Sequence, residues 1–86
     1  MKMRIKTTDI AWRVIEGQAF IINTKTSTLH ELDETGTFIW KLIEKGASAE
    51  GAAAELAANF NVTLDTASKD TEEFLSELEK KGILVR

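Results

Sequence analysis

The apolar pattern of this chain changes its period once, near Asp33. Before that residue, apolar side chains occur in short runs or at alternate positions, which is typical of β-strands. After it, they recur every three to four residues, which is typical of amphipathic helices. The pattern predicts three strands at residues 10–16, 19–22 and 28–32, followed by three helices. The expected fold class is therefore α+β, with a three-stranded antiparallel sheet covered on one face by helices.

The connections between the predicted strands are short. Gly17-Gln18 suits a two-residue type II′ turn between the first two strands. Residues 23–27 are polar and form the predicted turn before the third strand. The apolar residues 83–85 could return to the sheet as a C-terminal tail.

The ends of the predicted helices can be recognised from the residues at their cap positions. Residues that suit the N-cap positions are Asp33, Ser48 and either Thr63 or Asp65. Gly46 and Gly82 suit the positions just after the first and third helices. Gly36 and Gly51 fall in first turns, where a glycine either permits a close backbone approach or is simply tolerated.

Length and composition exclude several classes of function. A chain of 86 residues has material for one domain, residues 1–86, in which residues 1–9 form an N-terminal arm. It has no cysteine and only one histidine, His30, so we expect no catalytic centre, metal or cofactor. No apolar run is long enough to cross a membrane, and residues 1–6 do not resemble a signal peptide. We therefore expect a cytoplasmic protein without membrane contact.

Nucleic-acid binding is the first alternative, because three helices and a sheet can form a winged helix. The predicted third helix carries six acidic residues against three basic ones, in a chain of net charge −3. Such a surface repels phosphates, whose neutralisation dominates DNA affinity. We therefore expect no nucleic-acid partner, and a DNA-binding regulator stays as the alternative that a duplex titration would test.

A longer series of residues resembles a known family. The series comprises Leu32-Asp33, Gly36, Ile39-Trp40, Leu42-Ile43, Gly46, Ser48, Ala52, Leu56, Phe60, Asp70, Phe74-Leu75, Leu78 and Gly82-Ile83-Leu84. In order, spacing and total length it resembles the PqqD family, the recognition element of ribosomally synthesised, post-translationally modified peptides. The resemblance implies a winged helix-turn-helix-like fold and a non-catalytic module that captures the leader of a precursor peptide. It also implies a partner enzyme, either a radical SAM enzyme or another peptide-modifying enzyme.

Two segments depart from the quinone-pathway member of that family. The turn at residues 23–27 lacks the Pro-Glu-Gly sequence typical of that member, and residues 45–48 lack its Asp-Gly-Arg-Thr type of sequence. We therefore expect a precursor peptide from another pathway.

The predicted third strand is the expected place for the guest peptide. It contains no proline, and Glu31 is its only charged residue, so nothing in its sequence blocks pairing at a free edge. The resemblance implies an added strand there, resting against the third helix. The expected peptide-binding residues are Leu29, His30 and Glu31 for the ladder and Asp70, Phe74, Glu77 and Lys81 for the groove wall.

Two questions about this edge stay open at this point. The C-terminal tail or a second copy of the chain could pair there instead, the latter making a homodimer and a structural dimerisation module. Either Leu29 and Glu31 or their neighbours could direct their main-chain groups toward the guest. The acidic side chains of Asp70 and Glu77 would favour a guest with a lysine or arginine near the contact.

Overall fold

The computed structural model describes residues 3–86. Within them the chain forms β1 (Arg4–Ile5), β2 (Ile10–Ile15), β3 (Gln18–Asn23), β4 (Thr28–Glu31), α1 (Glu34–Glu44), α2 (Ala49–Phe60), α3 (Leu64–Lys80) and β5 (Leu84–Val85). The predicted succession of three strands and three helices is confirmed, and the short strands β1 and β5 are added to it.

The central sheet is an antiparallel meander in the order β2-β3-β4. Ile15 pairs with Gln18 across the first turn, and Ile21 pairs with His30 between β3 and β4. The turn between β2 and β3 consists of Glu16 and Gly17, which both have positive φ, at 51° and 80°. Two positive φ values identify a type I′ turn, so the predicted type II′ turn at Gly17-Gln18 is wrong by one residue and in type.

The β3–β4 turn is held by the side chain of Asn23. Its Oδ1 atom accepts hydrogen bonds from the main-chain N–H groups of Lys25 and Thr26, at 3.0 and 3.2 Å. This arrangement lets a polar segment without glycine reverse the chain, with Ser27 in the left-handed region at φ 56°. The predicted turn at residues 23–27 is confirmed.

One face of the sheet is buried under the helices. Ala19 and Ile21 of β3 are fully buried, whereas Ile22 on the opposite face is 44% exposed. Trp12 lies on the buried face and makes an edge-to-face contact with Trp40 of α1, with ring centroids 5.5 Å apart. The helices therefore cover the sheet on one side only, as the sequence predicts.

All three helices begin at predicted cap residues. The side chains of Asp33, Ser48 and Thr63 accept hydrogen bonds from the main-chain N–H groups three residues later. Gly82, with φ 73°, follows α3, and the N–H of Ile83 donates to the carbonyl of Leu78 at 2.9 Å. That bond spans a Schellman motif, which ends α3 and directs the chain into β5.

The two ends of the described chain pair with each other. Arg4 lies opposite Val85 and Ile5 opposite Leu84 in an antiparallel pair, and Lys6 N–H donates to the Ile83 carbonyl at 2.9 Å. Within the predicted N-terminal arm at residues 1–9, residues 4–5 form a strand. The tail at residues 83–85 returns to β1 and not to the three-stranded sheet. Residues 1–2 of the predicted arm lie outside the described residues.

Candidate functional site

The free edge of β4 is the first feature of the site. In the part of the chain that the structure describes, β4 pairs with β3 on one side and with no strand on the other. The C-terminal tail does not cover this edge, because it pairs with β1. One of the alternative occupants left open by the sequence is thereby excluded.

Main-chain hydrogen bonds decide which β4 residues face the free edge. Leu32 N–H donates to the Ala19 carbonyl at 3.0 Å, so the main-chain groups of Leu32 point toward β3. In an antiparallel ladder this direction alternates with every residue. His30 and Thr28 therefore also point toward β3, and Leu29 and Glu31 direct their N–H and C=O groups outward.

The opposite side of β3 gives the same result independently. Thr24 N–H donates to the Asp9 carbonyl at 2.8 Å, so Thr24 and, by alternation, Ile22 direct their main-chain groups toward β2. Ile21 must then face β4, where it lies opposite His30. His30 is thus committed to the internal ladder, and the outward set consists of Leu29 and Glu31.

The side chains of β4 divide between the two faces of the sheet. His30 is opposite the buried Ile21 and is half-buried, with its Nε2 atom 3.4 Å from the Thr28 hydroxyl. Leu29 projects from the outer face together with Ile22 and is 58% exposed. Leu29 therefore combines an exposed apolar side chain with main-chain groups that have no partner within residues 3–86.

An open groove of about 310 Å³ lies between the start of α1 and α3. Its lining begins at Asp33, two positions after the end of β4, and includes no residue of β4 itself. Its lining residues are Asp33, Thr35, Gly36, Ile39, Asp70, Glu73 and Phe74. The half-buried ring of Phe74 forms its apolar part, and the exposed carboxylates of Asp70 and Glu73 stand on the same helix.

Gly36 allows α1 and the Phe74 ring of α3 to approach each other closely at one wall of this groove. A Cβ atom at Gly36 would lie 3.1 Å from Cε1 of Phe74 and 3.1 Å from Oδ1 of Asp33. Such distances are tighter than ordinary contacts, so a side chain there would displace the ring or the cap. The glycine in the first turn of α1 therefore permits a close approach of α3, which is one of the two roles that the sequence left open.

The remaining predicted residues lie further along α3. Glu77 and Lys81 follow Asp70 and Phe74 at helical spacing, and their side chains form an exposed ion pair at 3.9 Å. They do not line the 310 Å³ groove, but they extend the same helix face toward its C-terminal end.

Asp70 and Phe74 thus share a groove with several residues that sequence reasoning did not assign to the site. Asp33 was recognised as a helix cap and Gly36 as a first-turn glycine, and both belong to the series that resembles the PqqD family. Glu73 was counted only among the six acidic residues of the predicted third helix. The cap at Asp33 and the first-turn glycine at Gly36 can be recognised from neighbouring residues. The position of α1 across a groove from α3 is a tertiary feature, which neighbouring residues do not reveal.

Other cavities lie away from β4. The largest that we describe, about 460 Å³, lies between Gly17 and the end of α2 at Phe60. Another, of about 410 Å³, lies between residues 3–7, β2 and the end of α1. Within residues 3–86, no cluster of His, Cys, Asp or Glu side chains is arranged to hold a metal ion. None of the described helices is both long and apolar enough for a membrane span.

Fold and edge together define a class of protein: a winged-helix-like α+β domain with an open strand beside a helix groove. The sequence model described as coenzyme PQQ synthesis protein D (PqqD) matches residues 18–84. The chain therefore belongs to the PqqD family, and the resemblance seen in its sequence is confirmed. No match was found among curated protein sequences.

Two solved structures have the same fold. The first is TbiB1 in complex with the TbiA(beta) leader peptide, which is 28% identical, with a TM-score of 0.88 over 98% of this chain and 94% of that one. The second is lasso peptide synthetase B1 complexed with the leader peptide, with a TM-score of 0.90 and complete coverage of both chains. Its sequence identity is 16%, so this second likeness concerns the fold alone.

Proposed function

We propose that this protein binds the leader segment of a ribosomal precursor peptide as an added strand on β4 and presents it to a modifying enzyme. The observation that carries the proposal is the free edge at Leu29 and Glu31, located beside the groove between α1 and α3. Membership of the PqqD family and the leader-peptide complex of the 28% identical TbiB1 support it. The guest and the catalytic partner both belong to other chains.

The length of the edge limits what main-chain bonding contributes. Two outward-facing residues can exchange about four hydrogen bonds with an antiparallel guest. At about 0.5–1.5 kcal/mol each, these bonds provide about 2–6 kcal/mol. Micromolar binding needs about 8 kcal/mol, so the rest must come from side chains in contact with the groove. Strand addition therefore gives general affinity, and contacts of the guest side chains with those of β4 and of the groove give selectivity.

The proposed roles of the site residues follow from their positions. Leu29 and Glu31 bond the guest through the main chain, and His30 contributes its half-buried ring on the inner face. Phe74 supplies an apolar wall of the groove, and Asp70 stands beside it. Glu77 and Lys81 border the continuation of that wall along α3.

The partner enzyme is of the peptide-modifying type, a radical SAM enzyme or another class, and the site of action is the cytoplasm. Within residues 3–86 the protein contributes binding and presentation, while bond-making chemistry resides in the partner. A precursor-peptide gene and a modifying-enzyme gene beside the gene of this protein would identify both partners. Copurification of the three products then tests the assembly.

A direct test uses the leader peptide encoded beside the gene, titrated by fluorescence anisotropy against the parent and two variants. Leu29→Pro removes an outward N–H, and proline is tolerated at an edge strand, so the fold should persist while binding weakens. The matched variant Leu29→Ala keeps that N–H and separates the main-chain contribution from the side-chain contribution. His30→Pro removes an inward N–H and serves as the fold-disrupting comparison.

Two results would overturn the proposal. One is a folded Leu29→Pro variant that binds the leader as tightly as Leu29→Ala does. The other is a tight dimer through β4, seen by light scattering, that the leader peptide does not dissociate. A parallel titration with duplex DNA at low salt should stay flat, because α3 carries six acidic residues and only two basic ones.

A further inference from the structure

The outer face of the sheet carries two rows of side chains that end at the free edge. In register across β2, β3 and β4, the first row is Ala11, Ile22 and Leu29, and the second is Arg13, Phe20 and Glu31. The first row is apolar, and the exposed fraction is 44% at Ile22 and 58% at Leu29. The second row ends in the carboxylate of Glu31.

An added strand would extend both rows by one position. Residues directly opposite each other in an antiparallel pair project their side chains from the same face. The guest residues opposite Leu29 and Glu31 would therefore lie on the outer face, two positions apart in the guest. In a guest that runs antiparallel to β4, as β3 does, the residue opposite Glu31 comes before the residue opposite Leu29 in the guest sequence.

The chemistry of the two positions differs. A guest side chain beside Leu29 would cover exposed apolar surface that continues to Ile22, which favours an aliphatic residue. A guest side chain beside Glu31 would meet a carboxylate that has no ion pair within residues 3–86. The nearest base in its row, Arg13, is two strand spacings away, about 10 Å.

We propose that the preferred guest carries a basic residue, then any residue, then an aliphatic residue, read from its N-terminal side, with the base opposite Glu31 and the aliphatic residue opposite Leu29. This inference rests on the proposed strand addition and names the sequence class that it selects. The intervening guest residue, opposite His30, points to the inner face of the sheet.

The first experiment selects a phage-displayed library of random peptides on the immobilised full chain. The expected result is enrichment of the basic-x-aliphatic order over the reversed aliphatic-x-basic order. The control for composition is a synthetic pair of peptides that differ only in exchanging those two residues. Equal enrichment and equal binding of the two orders would contradict the inference.

The second experiment swaps charges in one enriched peptide and in the protein. Glu31→Lys should weaken binding of the peptide with lysine at the basic position by about two- to fivefold. Replacing that lysine by glutamate in the peptide should restore binding to Glu31→Lys. The variant Glu55→Lys changes the net charge equally on an exposed part of α2 and should leave the preference unchanged.

The outcomes distinguish this inference from the proposed function. If no peptide binds in a way that Leu29→Pro weakens, strand addition itself fails, and the sequence preference fails with it. If peptides bind at the edge but Glu31→Lys does not reverse the preference for the lysine peptide over the glutamate peptide, the inference is wrong while the proposed function stands. If Glu55→Lys also reverses the preference between the two peptides, that result would likewise contradict the assigned register.

Discussion

Thr37 of α1 closes the end of the β3–β4 ladder, and its replacement by valine should destabilise the protein measurably. The fully buried Ala19 donates its N–H to the Thr37 hydroxyl at 3.0 Å. The same hydroxyl faces the Leu32 carbonyl at 3.4 Å. Valine keeps the shape of threonine but leaves the Ala19 N–H without a partner in a buried position. An unsatisfied buried group of this kind costs about 1–3 kcal/mol.

Thr71 of α3 provides a matched control. It is 1% exposed, lies in a helix like Thr37, and its hydroxyl has no hydrogen-bond partner within the described residues. Thr71→Val removes a buried polar group that gains nothing from its surroundings, so stability should be unchanged or rise by up to about 1 kcal/mol. Both substitutions exchange the same two side chains within a helix, so changes in helix propensity cancel in the comparison.

Urea unfolding followed by circular dichroism measures both variants. The midpoint should fall for Thr37→Val and stay or rise for Thr71→Val, with the slope unchanged in both. In thermal unfolding, about 1 kcal/mol corresponds to about 4–8 °C in a domain of this size. Equal losses in the two variants would refute the argument, because the hydrogen bond to Ala19 would then contribute nothing beyond the change of side chain.

Three further predictions concern stability and the groove. Gly36→Ala should destabilise the protein by about 1 kcal/mol, because the added methyl group crowds Phe74. Gly51→Ala also lies in a first turn but meets only a cap hydroxyl, so it should stabilise the protein by up to about 1 kcal/mol. Urea midpoints that move in the same direction for both variants would contradict this. Arg86→Ala removes ion pairs to two carboxylates of α3 and should cost at most about 1 kcal/mol, a loss that disappears in high salt. Trp12→Leu removes the edge-to-face contact with an α1 indole and should cost about 0.5–1.5 kcal/mol beyond the lost area, checked by thermal unfolding.

The helical part of the fold could be predicted from the sequence because its signals are local. A cap side chain such as that of Asp33 bonds an N–H only three residues away, and a glycine such as Gly82 needs only its own φ value. These features depend on residues that are close in sequence, so they can be predicted without knowledge of the tertiary structure. The same holds for the polar turn that Asn23 organises.

The missed features depend on distant partners or on unusual backbone values. β1 consists of two residues, and only pairing with Leu84 and Val85, about eighty positions later, makes it a strand. The first hairpin turn was misplaced because Glu16 adopts a positive φ that a side chain of its type rarely adopts. The direction of the β4 main chain could not be read from the sequence, because Leu29 and Leu32 place an apolar residue on each parity.

The shortness of the free β4 edge has a consequence for the lifetime of a bound guest. The strand pairing of the proposed leader complex involves two outward residues, and a complex of about micromolar affinity corresponds to about −8 kcal/mol. With an ordinary association rate constant of about 10⁶ M⁻¹ s⁻¹, such a complex dissociates at about 1 s⁻¹. A precursor would therefore remain for about a second, long enough to meet an enzyme and short enough for one copy of this protein to deliver many precursors in turn.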